Sequence, residues 1–208
     1  MTSLSYNSFG DKMISIKENN HNEIIINKSK FITKLIKIKS EHDVDNILND
    51  IKSEYVGATH YCYAYVCGNK KKFNDDGEPT KTAGMPILNV LESNNLDNIL
   101  CVVIRYFGGI KLGAGGLVRA YTKATTECLK KVKLVNLVDG TKIKINFDYS
   151  NLKQIDYLLS EINIEDKFFE NEVTYTFNIS NKKLEIIYDD LVYNTINILK
   201  IEKILIEE

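Results

Sequence analysis

Apolar and polar positions alternate along the first half of the chain in a way that predicts strands interleaved with helices. Short runs rich in β-branched and aromatic residues are typical of buried strands, and apolar residues recurring every three or four positions indicate helices. Val44, Leu48 and Ile51, for example, share one face of a helix. The predicted elements are strand 23–39, helix 43–55, strand 59–66, a helix that begins near Pro86, strand 99–107 and a helix after Gly116.

The second half of the chain shows a different order of elements. Its pattern predicts strand 142–149, helix 151–161, strands 163–170 and 172–179, helix 181–194 and strand 197–206. This βαββαβ order is typical of the ferredoxin-like split motif. We therefore expect an α+β protein whose second half is a ferredoxin-like domain.

A change in composition separates the two halves. Nine of the eleven glycines, all four cysteines and both prolines lie between Gly57 and Cys128, whereas no Gly, Pro, Cys or His follows Gly140. Residues 141–208 carry eight Lys and thirteen Asp or Glu, a balance of −5. We predict two domains, 1–135 and 141–208, joined by a linker at 136–140.

Composition also narrows the class of protein. The 208 residues are 44% apolar and 26% charged, which is ordinary for globular proteins and enough for two cores. The first residues, MTSLSYNSFGDK, do not resemble a secretory leader, and no apolar run approaches the ~20 residues that span a membrane. The cysteines show neither zinc nor disulfide spacing. We expect a cytoplasmic protein with reduced cysteines and no membrane partner.

The segment 104–121, IRYFGGIKLGAGGLVRAY, changes from a strand pattern to a helix pattern through five glycines. Glycine-rich backbone before a helix N-terminus suits an anion such as phosphate, although the same glycines could serve only to close the turn. Between Ile99 and Lys133 the chain has seven Lys or Arg and one Glu, a net charge of +6 that favours binding to polyanions. The predicted anion-binding residues are Arg105, Gly108, Gly109, Lys111, Gly113, Gly115, Gly116, Arg119 and Lys123.

A long polar loop at 70–86 and the strand before it are predicted to form a cleft beside the glycine segment. Loops of this length are often functional, and we expect the cleft residues to be His60, Asp76, Gly77, Glu78, Pro79 and Lys81. The spacing shows no catalytic constellation, and we expect no metal and no cofactor. Tyr61, Tyr63 and Tyr65 share a strand face, where they either stack nucleic-acid bases or pack in the core.

Four blocks in order, KSKFI (28–32), ATHYCYAYV (58–66), DDGEPTKTAGMPIL (75–88) and VVIRYFGGIKLGAGGLVRAY (102–121), resemble the signature segments of the IMPACT family, specifically its YigZ-like bacterial members. The resemblance implies a first domain of the ribosomal protein S5 domain 2-like fold. It also implies a domain pair similar to the fourth and fifth domains of elongation factor G, association with RNA or the ribosome, and a role in translational control with a translation-control protein as a further partner.

These observations favour a non-enzymatic regulator that binds RNA or the ribosome through its basic glycine-loop surface. One alternative is a phosphate-ester or nucleotide-binding enzyme that uses the glycine-rich loop. Another is a protein-interaction module that uses the acidic second domain. Fold analogy alone does not separate the three functions.

Overall fold

A computed structural model describes residues 13–207, so the N-terminal segment compared above with secretory leaders lies outside the described residues. The chain divides into two compact units, Met1–Asn136 and Leu137–Glu208. Both units combine helices with antiparallel sheets, which confirms the predicted α+β class. Among the described residues, no helix has the length and apolar character needed to cross a membrane.

The first unit is built on a five-stranded antiparallel sheet. Its elements are β1 (Met13–Ile16), β2 (Asn20–Ile26), β3 (Ser29–Lys37), α1 (Asp43–Glu54), β4 (His60–Cys67), β5 (Lys70–Asn74), α2 (Gly84–Ser93), β6 (Ile99–Tyr106) and α3 (Gly113–Leu129). The sheet order is β2-β3-β6-β4-β5. One face of the sheet packs against α2 and α3, and the other packs against α1.

Successive side chains of β4 point alternately to these two faces of the sheet. Cys62 and Ala64 pack in the core under α2 and α3. Tyr63 and Tyr65 pack in the core under α1, where they are only 8% and 6% exposed. Tyr63 and Tyr65 are therefore core residues, and the base-stacking role considered for them does not fit this burial. Tyr61 is partly buried against the same core.

Two strands of the first unit differ from the predicted elements. The predicted strand 23–39 is a hairpin of β2 and β3, whose turn residues Asn27 and Lys28 both have positive φ. This turn carries no glycine or proline, so the sequence gives little sign of it. The predicted loop 70–86 begins with β5, a lysine-rich edge strand paired with β4.

The second unit has the predicted ferredoxin-like order of elements. They are β7 (Leu134–Phe147), α4 (Leu152–Leu158), β8 (Ile164–Phe169), β9 (Val173–Ser180), α5 (Asn181–Asn194) and β10 (Asn197–Glu207). Within this unit the strands are ordered β10-β7-β9-β8, and each of these neighbouring pairs is antiparallel. In the same five-stranded sheet, β7 is also the neighbour of β1. Ile143, Phe147, Tyr175 and Phe177 form the centre of a separate core that includes residues from α4 and α5.

The predicted linker at 136–140 is not a loop. It belongs to β7, and Leu137 to Gly140 pair with Ile204 to Glu207 of β10. Gly140 marks a close contact, since a Cβ built there would lie 2.3 Å from the Ile206 side chain. Gly140 therefore makes room for strand packing.

Candidate functional site

The glycine loop connects β6 to α3 and uses its glycines in different ways. Gly109 and Gly113 have φ of 83° and 68°, a left-handed conformation that other residues adopt at a cost. Gly108 has no space for a side chain, because a Cβ there would lie 2.0 Å from the Lys28 carbonyl carbon. These three glycines shape the turn. The helix begins at Gly113, earlier than the predicted start after Gly116.

Gly115 and Gly116 lie in the first turn of α3. A Cβ built at Gly115 would have its nearest contact at 3.5 Å, with Arg119 Nη1, so backbone at this point is not crowded. In the described part of the chain, no side chain caps this helix. The amides of the first turn therefore have no side-chain acceptor, and they lie at the positive end of the helix dipole. Amides in this position can bind an anion.

Three predicted phosphate contacts lie exposed around this helix start. Lys111 precedes the helix, and Arg119 and Lys123 lie one and two turns after Gly115. Positions four apart share a helix face, so Gly115, Arg119 and Lys123 form a single stripe. We call Lys111, Gly115, Gly116, Arg119 and Lys123 the basic stripe.

Arg105 does not belong to the basic stripe, contrary to its predicted role as a phosphate contact. It is 4% exposed and its guanidinium is held from inside the protein. Its Nη1 pairs with Glu78 Oε1 at 2.5 Å, and its Nη2 donates to Ser29 Oγ at 3.3 Å. A buried arginine engaged in this way cannot also reach a phosphate at the surface without breaking the ion pair.

Glu78 is the centre of the buried group to which Arg105 belongs. Its Oε1 also accepts a hydrogen bond from Tyr121 OH at 2.8 Å and lies 3.8 Å from His60 Nε2. We call His60, Glu78, Arg105 and Tyr121 the Glu78 cluster. Burial raises the pKa of Tyr121 far above its usual range, so this hydroxyl stays protonated and donates.

A thiol packs beside the Glu78 cluster. Cys62 Sγ donates to the Asp75 carbonyl at 2.9 Å and lies 3.3 Å from Tyr121 OH. Burial raises the pKa of this thiol well above its usual range. Because the thiolate is the reactive form of cysteine, Cys62 behaves as a structural residue. All four cysteines are free in the structure.

The loop after β5 positions His60. His60 Nδ1 lies 2.8 Å from the Asp76 carbonyl, and a carbonyl only accepts, so Nδ1 carries a proton and Nε2 faces Glu78. Asp76 and Gly77 both have positive φ, which turns the chain around the imidazole. His60, Asp76, Gly77 and Glu78 therefore lie together in the structure.

Two other predicted cleft residues lie further along the same loop, at the surface. Pro79 and Lys81 are exposed, and the Lys81 backbone amide donates to Asp75 Oδ2 at 2.8 Å. Asp75 Oδ1 accepts from the amides of Ala83 and Gly84, so this carboxylate holds the loop against the start of α2. Within residues 13–207, no group of three or more His, Cys, Asp or Glu could hold a metal ion.

Sequence reasoning missed two residues of this region, Ser29 and Phe107. Ser29 Oγ accepts from Arg105 Nη2 and from the Gly108 amide, so it connects the Glu78 cluster to the glycine loop. Its position within the KSKFI block was the only available signal. Phe107 ends a strand pattern in the sequence, yet it is 46% exposed in the structure.

Comparisons with known proteins place these features in a family. The model of the Impact N-terminal domain matches residues 27–129, a range that contains both the basic stripe and the Glu78 cluster. IMPACT family member YvyE of Bacillus subtilis is 40% identical over 168 residues, which are 79% of this chain and 76% of the relative. IMPACT family member YigZ of Escherichia coli is 35% identical over 141 residues, which are 65% of this chain and 69% of the relative.

A solved structure supports the fold over almost the whole chain. It is described as a hypothetical protein, is 27% identical, and aligns with a TM-score of 0.64 over 93% of this chain and 99% of that one. With the sequence relatives, this likeness covers both units of the structure. The chain belongs to the IMPACT family, with YigZ and YvyE among its bacterial relatives.

Proposed function

We propose that this protein is a non-enzymatic regulator of translation that binds RNA or the ribosome through the basic stripe. The observation that carries the proposal is the exposure of Lys111, Arg119 and Lys123 around an uncapped, glycine-rich helix start. Phosphate groups suit both the cations and the free first-turn amides. The resemblance to the IMPACT family points to the same class of partner.

Binding of this kind requires a phosphate to come close to the protein backbone. Gly115 and Gly116 carry no side chain, so a phosphate can come close to the amides of the first helical turn. Lys111, Arg119 and Lys123 then neutralise neighbouring phosphates along the strand. Contacts of this type fix the position of the nucleic acid and carry no base information.

Charge separation between the two halves supports the proposal. Without the buried Arg105, which is paired with Glu78, the segment 99–133 has six Lys or Arg and one Glu, a net charge of +5, whereas residues 141–208 have a net charge of −5. A polyanion is attracted to the first and repelled by the second, which orients its approach.

The test is the salt dependence of RNA binding. We expect Arg119→Ala and Lys123→Ala to weaken binding across RNA sequences and to reduce the slope of log K against log salt by roughly 0.7 to 0.9 for each phosphate that is no longer neutralised. Lys52→Ala is the matched control, since Lys52 is exposed on α1, across the sheet from α3. Unchanged affinity and slope in both stripe variants, with folding intact, would contradict the proposal.

A nucleotide-hydrolysis assay on the same preparation tests the enzymatic alternative. His60 Nε2 beside Glu78 is the arrangement in the structure closest to an acid–base pair. Hydrolysis that is lost in His60→Ala and kept in Arg119→Ala would favour the enzyme over the regulator.

A further inference from the structure

Phe107 is the outer end of a row of aromatic and cationic groups that begins in the core. Tyr121 meets the Phe31 ring edge-on, with ring centroids 5.3 Å apart and an interplanar angle of 89°. Arg105 Cζ then lies 5.4 Å from the Phe31 ring centroid and 5.5 Å from that of Phe107. The first three groups are buried, and Phe107 is 46% exposed. The row therefore ends at an aromatic surface open to solvent.

The backbone on both sides of Phe107 is held in place. The Phe107 amide donates to Thr59 Oγ1 at 3.0 Å, which ties it to the residue before β4. The next amide, of Gly108, donates to Ser29 Oγ at 3.2 Å, and Gly108 has no room for a side chain. An exposed aromatic ring on such a fixed backbone loses little conformational freedom when it binds a partner.

Arg105 holds the ring from below. Its guanidinium is buried and fixed by Glu78 and Ser29, so the cation stays under Phe107. Arginine over an aromatic face is a favourable contact, stronger where water is excluded. Exposed aromatic side chains also occur in the second unit, at Phe168, Phe169 and Tyr193, but that unit is acidic.

We propose that Phe107 is a stacking platform for an unpaired base, so that the partner of this surface is single-stranded rather than double-stranded RNA. This inference rests on the proposed function. Phe107 precedes the glycine loop, and Lys111 lies four residues further along the same loop. A phosphate backbone at the basic stripe and a base on Phe107 combine the two features by which proteins hold single strands. In a duplex the bases are stacked on each other and are not available to the ring.

The test compares one RNA strand alone and annealed to its complement, in binding to the full chain by fluorescence anisotropy. Phe107→Ala and Phe107→Leu should weaken binding of the single strand by about tenfold and leave duplex binding unchanged. Phe107→Tyr keeps the aromatic face and should bind like the natural protein. The salt slope should stay constant in all three variants, because a stacked base releases no counterion.

Tyr157→Ala is the matched control, since Tyr157 is an aromatic residue 75% exposed in the second unit. Phe107→Leu keeps most of the apolar volume of the side chain. If Phe107→Leu and Phe107→Ala both lose affinity for the single strand, the loss comes from the missing aromatic face and not from a folding defect. An equal loss on single strand and duplex, or no loss in either variant, would overturn the inference. If Arg119→Ala loses binding while Phe107→Ala does not, the proposed function stands and the stacking platform fails. Absence of RNA binding by the natural protein refutes the stacking platform, and absence of both RNA binding and ribosome binding refutes the proposed function as well.

Discussion

Arg105 and Arg119 have the same side chain and opposite environments. Arg105 is buried and paired with Glu78, whereas Arg119 is exposed on α3 beside Gly115. Breaking a buried ion pair leaves the remaining charge uncompensated in a medium that solvates it poorly. An exposed cation loses only a weakly stabilising interaction when it is removed.

We therefore expect Arg105→Ala to lower the free energy of unfolding by about 3–5 kcal/mol. Arg119→Ala, the matched control, should change it by less than about 0.5 kcal/mol. Urea unfolding measures both. Replacing both partners, as Arg105→Met with Glu78→Leu, should recover part of the loss, since no unpaired charge then remains. A small effect of Arg105→Ala, or a double variant no better than the single one, would show that the ion pair is not what stabilises this region.

At the scale of the element, the glycine loop combines turn-forming glycines with Gly115, whose side-chain position is open. Gly113 has a left-handed φ of 68° but open space around its missing side chain. Gly115 has ordinary helical geometry, and its nearest contact would be the flexible Arg119 side chain. At Gly113 a substitution is limited by the backbone conformation. At Gly115 it is limited by the need for a ligand to reach the backbone.

Alanine substitutions separate these two roles. Gly113→Ala should cost about 1–2 kcal/mol of stability, because alanine is strained at positive φ. Gly115→Ala should leave stability unchanged or raise it by up to about 1 kcal/mol, because alanine favours the helix. The same Gly115→Ala protein should nevertheless bind RNA more weakly, since its methyl group blocks the approach of a phosphate. Thermal melting measures the stability and fluorescence anisotropy measures the RNA affinity of the same preparation. A Gly115→Ala variant with full affinity would mean that no anion approaches these amides.

Periodicity predicted the bounds of two helices closely. Helix α5 has its predicted bounds, 181–194, and α1 ends one residue before the predicted helix 43–55. The β2–β3 hairpin was missed because its turn, Asn27 and Lys28, adopts positive φ without glycine. β5 was missed because its three lysines hide the pattern of a strand that packs on one side only.

The site was predicted only in part, because strand register brings its residues together. His60 lies directly opposite Arg105 on β4 and β6, and Phe31 lies opposite Arg105 on β3 and β6. No local pattern reports pairings between residues that lie so far apart along the chain. The glycines and cations could be found from the sequence, whereas the burial of Arg105 and the position of Phe107 depend on contacts with residues far away along the chain, such as Glu78, Ser29 and Thr59.

At the scale of the molecule, two units with separate cores carry opposite charge. The buried core residues of the second unit all lie within 143–191. Strand β7 pairs with β10 from Leu137 onward and with β9 from Gly140 onward. A cut after residue 136 therefore keeps the pairings among β7, β8, β9 and β10. Residues 137–208 should form an independently stable domain.

We expect a fragment of residues 137–208 to unfold in one cooperative thermal transition and to bind no RNA, since its charge is negative. A fragment of residues 1–136 should keep the full salt slope, because it contains the whole basic stripe. At low salt it should bind RNA more tightly than the full chain, because the acidic unit no longer repels the polyanion. Screening over about 8–10 Å should remove this difference near physiological salt. A fragment of residues 1–136 that binds more weakly at every salt concentration would assign part of the RNA surface to the second unit, and the basic stripe would then be one contact of a larger interface.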